Sequence, residues 1–138
     1  MGGMTLLCPA MSSELKVLVV EDSDIVRPIT EEYLIELGHT ALAVATAEEA
    51  LRALESSVFD ALLTDVRLPG MSGISLVKHC ASRFPTLALV VTSGYGELSA
   101  ELFPGELRRQ IFMLPKPYDL TAMQRVLDDV ALRLTNGL

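Results

Sequence analysis

Short apolar runs recur along the chain, and several end in a charged or hydroxyl-bearing residue. Val17-Leu18-Val19-Val20 is closed by Glu21-Asp22, and Ala61-Leu62-Leu63-Thr64 by Asp65. Leu89-Val90-Val91 runs into Thr92-Ser93-Gly94, and Ile111-Phe112-Met113-Leu114 into Pro115-Lys116-Pro117. Near-continuous apolar runs of this length suit strands covered on both faces. Strands are predicted at 16–20, 40–45, 61–65, 87–92 and 111–114.

The intervening segments have helical spacing. Residues 24–37 place Val26, Ile29, Tyr33, Leu34 and Leu37 on one side, with Gly38 as the stop. Pro28 falls near the first turn, where proline is tolerated. Thr46 and Glu49 form a capping box, and the helix they open carries Ala47, Ala50, Leu51, Leu54 and Val58. Residues 73–84 turn Ile74, Val77, Cys80, Ala81 and Phe84 inward. A weak helix is expected at 97–103, broken by Pro104-Gly105. Asp119 is a good N-cap for a last helix carrying Leu120, Met123, Leu127, Val130 and Leu134. That stripe is too short for a coiled coil and is expected to pack on the sheet.

Strands alternating with helices predict an α/β fold with a doubly wound, five-stranded parallel sheet. Ligands of such sheets bind beyond the carboxyl ends of the strands. Glu21, Asp22, Asp65, Thr92, Ser93 and Lys116 all fall at such ends, so function is expected to concentrate there.

Composition narrows the classes. Half of the 138 residues are apolar, which suits one packed domain over 14–135, with an extension at 1–13 and a tail at 136–138. The net charge of −7 opposes contact with nucleic-acid backbones and anionic membranes. No apolar run reaches bilayer length, and Met1 to Ser13 has no basic n-region. Cys8 and Cys80 form no CxxC pair, in keeping with a reducing cytoplasm. Cys80 falls on an inward stripe and is expected in the core. His39 and His79 are expected at the surface.

Glu21, Asp22 and Asp65 would bring three carboxylates together, and their mutual repulsion calls for a cation. Oxygen donors without clustered His or Cys point to Mg²⁺, or Mn²⁺. One carboxylate is then free to attack phosphorus, with a lysine and a hydroxyl to receive the transferring group. Each residue also has a plainer reading: Glu21-Asp22 as a helix-end charge pair, Asp65 as a turn cap, Lys116 as a solvated charge, Ser93 as turn chemistry.

The combination resembles the receiver domain of two-component response regulators. The resemblance covers about residues 14–135. It rests on Glu21-Asp22, on Asp65 with Pro69-Gly70 and Gly73, on Ser93-Gly94-Tyr95, and on Lys116-Pro117-Tyr118. Ser93 and Lys116 follow Asp65 by 28 and 51 residues (93 − 65 and 116 − 65). It implies a flavodoxin-like (βα)₅ fold with strand order 2-1-3-4-5. It implies that Asp65 accepts phosphoryl from a histidine kinase or histidine phosphotransfer protein. Asp22 would bind Mg²⁺ directly, Glu21 directly or through water, and Arg67 by its backbone carbonyl. Ser93 would read the phosphoryl group, Lys116 would pair with it, and Lys116-Pro117 would be a cis peptide. Thr92 is the alternative hydroxyl; Ser93 is preferred because it directly precedes Gly94. Arg67 and Tyr95 flank the site and would tune access of hydrolytic water.

Such a domain is not an enzyme toward an external substrate and signals by protein contact, as a monomer or weak homodimer. No DNA-binding segment follows the last helix in this sequence. It would act alone, within a hybrid kinase, or within a longer regulator. A phosphohydrolase would need a second acid two residues after the nucleophile, where Arg67 stands. A non-phosphorylated scaffold is the other rival.

One position departs from the family pattern. Three residues before the lysine the family usually has an aromatic that rotates inward; here it is Met113. Phe112 is adjacent, but neighbouring strand residues face opposite sides. Little reorientation of Met113 is therefore expected between the resting state and a phosphate-mimic-bound state. Comparing the two by methyl-resolved NMR of Met113 checks this; a large shift of its side chain would overturn it.

Overall fold

The computed structural model describes residues 14–94, 103 and 105–136. In chain order the elements are β1 (Lys16–Val20), α1 (Val26–Glu36), β2 (Thr40–Val44), α2 (Ala47–Ser56), β3 (Ala61–Asp65), α3 (Gly73–Arg83), β4 (Ala88–Ser93), α4 (Gly105–Gln110), β5 (Ile111–Pro115) and α5 (Leu120–Thr135). All five strands are parallel, in the order β2-β1-β3-β4-β5. The doubly wound sheet anticipated from the apolar runs is the one found.

Strand alternation divides the core into two layers. Leu18, Val20, Leu62, Leu89 and Val91 pack with Ala50, Leu54, Leu76, Val77 and Cys80 on the α2–α3 side. Val17, Val19, Leu63, Val90 and Leu114 pack with Leu34, Met123, Val126, Leu127 and Val130 on the α1–α5 side. Every residue of β3 and β4 is buried. The Cys80 thiol is free and buried, and burial pushes its pKa up to about 11.

Helix starts follow local chemistry. Thr46 and Glu49 form the expected capping box. Asp119 caps α5 by accepting from the Ala122 amide at 2.8 Å. α1 begins at Val26 rather than at residue 24, because Ser23 Oγ accepts the amides of Ile25 and Val26 in a turn ahead of it.

Several expectations need correction. Val58 is 84% exposed: α2 stops at Ser56, Ser57 is extended, and Phe59 takes the buried place. Ile29 is 43% exposed, while Thr30 on the same helix is buried. Leu76 is fully buried whereas Ile74 is half-buried. His39 is half-buried rather than at the surface, and its Nδ1 accepts the Leu15 amide at 3.0 Å. Burial lowers the His39 pKa below its ordinary value, against the opposing pull of Glu14 and Asp128. The helix expected at 97–103 lies outside the described residues, except for buried Phe103. Helix α4 instead begins at Gly105, the residue expected to break it. It buries no residue, so it leaves no apolar stripe to detect; Glu106 at its start and Arg108 and Arg109 at its end suit the helix dipole.

Two glycines shape the connection after β3. Gly70 has φ +74°, in the left-handed region that favours glycine. At Gly73 a Cβ would sit 1.8 Å from the Asp65 carbonyl oxygen. Helix α3 therefore starts directly against the end of β3. Gly73→Ala must push that backbone aside, and a loss of about 1–3 kcal/mol is expected. Urea denaturation checks this; an unchanged midpoint would mean that the close approach is not needed for the fold.

Candidate functional site

The parallel register brings the ends of β1, β3 and β5 together, and each contributes a charged group. Glu21 follows β1. Its amide donates to Val44 O at 3.0 Å, and its carbonyl accepts from Arg27 Nη1 at 2.9 Å. Its Oε2 accepts the Ser23 amide at 3.1 Å. These contacts hold the side chain inward at 3% exposure, while Asp22 remains exposed. Asp65 ends β3 at 7% exposure, with Oδ1 accepting the Arg67 amide at 3.2 Å. The backbone of residue 67 thus lies at the edge of the cluster.

Lys116 closes the group. Its amide donates to Ser93 O at 2.8 Å, tying it to the end of β4. Its Nζ donates to Glu21 Oε1 at 2.9 Å and to Asp65 Oδ2 at 2.8 Å. The Lys116-Pro117 bond is cis, as the resemblance implied. Burial works against the ammonium charge, but the hydrogen bonds and charges of Asp65 and Glu21 overcome this and hold the pKa above the ordinary lysine value. Lys116 is therefore a fixed cation at neutral pH and cannot act as a base there.

The arrangement sets three carboxylates against one ammonium. Carboxylate oxygens of Glu21, Asp22 and Asp65 lie within 4.8 Å of one another. All the donors are hard oxygens, which fits Mg²⁺ or Mn²⁺ and not a soft metal.

The other singled-out residues fall around this cluster. Ser93 and Thr92 are each 2% exposed at the end of β4. Gly94, Lys116 and Pro117 line a cavity of about 430 Å³ beside α1, together with Val26, Ile29 and Tyr118. Met113 is half-buried against the α2–α3 layer, and Phe112 packs in the α1–α5 layer beneath the Arg133 guanidinium. The two are on opposite faces, so Phe112 does not stand in for an aromatic at 113. Tyr95 lies outside the described residues.

Sequence reasoning missed two supporting contacts. The hydroxyls of Thr30 and Tyr118 are 2.6 Å apart, joining α1 to the segment after Lys116. Burial raises the Tyr118 pKa, so this phenol is neutral at physiological pH. A threonine among the apolar positions of α1 was the available signal. The second contact is Glu48 Oε2, which accepts the Met71 amide at 3.3 Å and steadies the turn at Gly70. No pattern in the sequence pointed to it.

Comparison with known proteins identifies the family. The response regulator receiver domain model matches residues 17–128. The chain belongs to the response regulator receiver domain family. It is 34% identical over 104 residues to the DNA-binding transcriptional regulator NtrC of Escherichia coli K12, covering 75% of this chain and 22% of that protein. It is 34% identical over 110 residues to the response regulator protein FleR of Pseudomonas aeruginosa, covering 78% and 23%. The chain thus spans under a quarter of the length of these relatives. Among solved structures, a CheY-like receiver domain from Methylobacillus flagellatus superposes with TM-score 0.74 at 28% identity, covering 85% of this chain and 98% of that one. The chemotaxis response regulator CheY4 of Vibrio cholerae gives TM-score 0.74 at 25% identity, with the same coverage of 85% and 98%.

Removing the shared cation should expose what it offsets. Lys116→Met leaves the Glu21 and Asp65 carboxylates inward-facing and unpaired. A loss of about 2–3 kcal/mol at pH 7 is expected, below the 3–5 of a fully buried pair because Lys116 keeps some solvent contact. The deficit should shrink as acid neutralises the two carboxylates left without a counter-charge. Urea denaturation of both proteins across pH 4 to 8 measures this; a deficit independent of pH would refute it.

Proposed function

We propose that this chain is the phosphoacceptor receiver of a two-component phosphorelay, taking phosphoryl from a phosphohistidine onto Asp65. The observation that carries the reading is the 2.8 Å bond from Lys116 Nζ to Asp65 Oδ2 within the acidic cluster. Glu21, Asp22, Asp65 and the Arg67 carbonyl would hold Mg²⁺ or Mn²⁺. When bound, the ion supplies positive charge to neutralise the carboxylates and the phosphoryl oxygens.

A carboxylate oxygen of Asp65 bonds to phosphorus as the phosphorus–nitrogen bond breaks. The bonding electron pair leaves with the imidazole. Lys116, charged throughout, offers its ammonium to the transferring group, and the Ser93 hydroxyl donates to one of its oxygens.

The donor of phosphoryl is a histidine kinase or a histidine phosphotransfer protein. Ile25, just ahead of α1 and 74% exposed, and Ile29, 43% exposed and lining the 430 Å³ cavity, present apolar surface that supports a protein partner there. The domain acts on no external substrate and catalyses only its own phosphorylation and dephosphorylation. Output is by protein contact, from a monomer or weak homodimer. We place it in the cytoplasm; no helix among the described residues is long and apolar enough to cross a membrane.

Incubation with acetyl phosphate and Mg²⁺ should add one phosphoryl group by intact mass. The adduct should be absent without metal and absent in Asp65→Asn. No adduct, and no uptake of beryllofluoride either, would favour the non-phosphorylated scaffold, the reading to which Met113 lends weight.

A further inference from the structure

Thr92 is 2% exposed, yet its hydroxyl has no hydrogen-bond partner. Buried hydroxyls are nearly always bonded, because leaving one unmade forfeits its hydration without return. Valine has the same shape, and Val90 and Val91 precede Thr92 on the strand. A valine here would fill the space without that penalty. The hydroxyl therefore calls for a partner in some other state of the molecule.

Its position indicates which partner. β4 lies between β3 and β5, and Thr92 is in register with Asp65 on one side and Leu114 on the other. Ala88 and Val90 belong to the α1–α5 layer, so by alternation Thr92 faces that layer too. Asp65 faces the same way, following Ala61 and Leu63, and Lys116 follows Leu114. The Lys116 side chain must cross β4 to reach Asp65, so Thr92 lies on the floor beneath that bridge. Both Asp65 oxygens are engaged in this state, Oδ1 by the Arg67 amide and Oδ2 by Lys116 Nζ.

We propose that Thr92 is a positioning residue whose hydroxyl takes over an Asp65 carboxyl oxygen once Lys116 is drawn to the phosphoryl group. This rests on Asp65 being the phosphoacceptor. Phosphorylation moves negative charge from the carboxylate onto the phosphoryl oxygens, and the ammonium follows the charge. The acyl oxygen left behind loses the ammonium, and as a metal ligand it still keeps one lone pair for a donor. Thr92 Oγ1 can turn toward it by moving between staggered χ1 wells, without moving the backbone. Ser93, one residue on, alternates to the opposite side of β4. The two hydroxyls then serve different atoms, Ser93 a phosphoryl oxygen and Thr92 the acyl oxygen.

The test compares wild type with Thr92→Val, Thr92→Ser and Thr92→Ala. Two quantities are read: the melting midpoint without ligand, and the apparent affinity for beryllofluoride with Mg²⁺ by calorimetric titration. Thr92→Val should melt at or above the wild-type temperature while binding beryllofluoride up to about tenfold more weakly, the upper end for one ordinary hydrogen bond. Thr92→Ser should bind like wild type. If Thr92→Val does not fold, Thr92→Ala should show the same loss of affinity against Thr92→Ser. Equal affinity in wild type and the hydroxyl-free variants overturns the role of Thr92 and leaves the phosphoacceptor reading standing. Failure of wild type itself to take up beryllofluoride overturns both.

Discussion

The site depends on one ammonium group shared between two inward-facing carboxylates. Lys116 Nζ reaches Glu21 and Asp65 at once, joining the ends of three strands. An ion pair removed from water is stable only when its geometry is good and its remaining polar atoms are bonded. Both conditions are met: Glu21 Oε2 and Asp65 Oδ1 each accept a backbone amide. The lysine offsets only part of the negative charge. The remainder is excess negative charge on a cluster that could hold a divalent cation.

The backbone around this group is built to hold it in place. Gly73 lets α3 begin against the Asp65 carbonyl, Arg27 clamps the Glu21 carbonyl, and the Lys116 amide is tied to Ser93. Thr64 Oγ1 also donates to Asp65 O, at 3.0 Å. Rigid support of this kind places a reactive side chain more accurately than a free loop does.

Much of this was legible in the chain because parallel strands leave a plain mark. Apolar runs ending in Glu21-Asp22, Asp65, Thr92-Ser93 and Lys116 gave both the sheet and the residues at its working edge. Short-range rules also held where the chemistry was local, as at Thr46 and Asp119. Legibility failed where burial depends on distant partners. Val58 has the right spacing for the α2 stripe, but the helix ends before reaching it. His39 looks like a surface histidine until the Leu15 amide, 24 residues away, is brought against it. α4 has only half-buried Leu107 against the core and so has no periodicity. The Thr30–Tyr118 contact joins two residues whose relation exists only in the folded sheet.

The sequence distances within the site bear on the order in which the molecule is made. The Lys116–Glu21 and Lys116–Asp65 bonds span 95 and 51 residues, and the Thr30–Tyr118 contact spans 88. Closing loops this long carries an entropic cost that nearer pairings reduce. A nascent chain that has not yet reached β5 holds its acidic residues without their counter-charge.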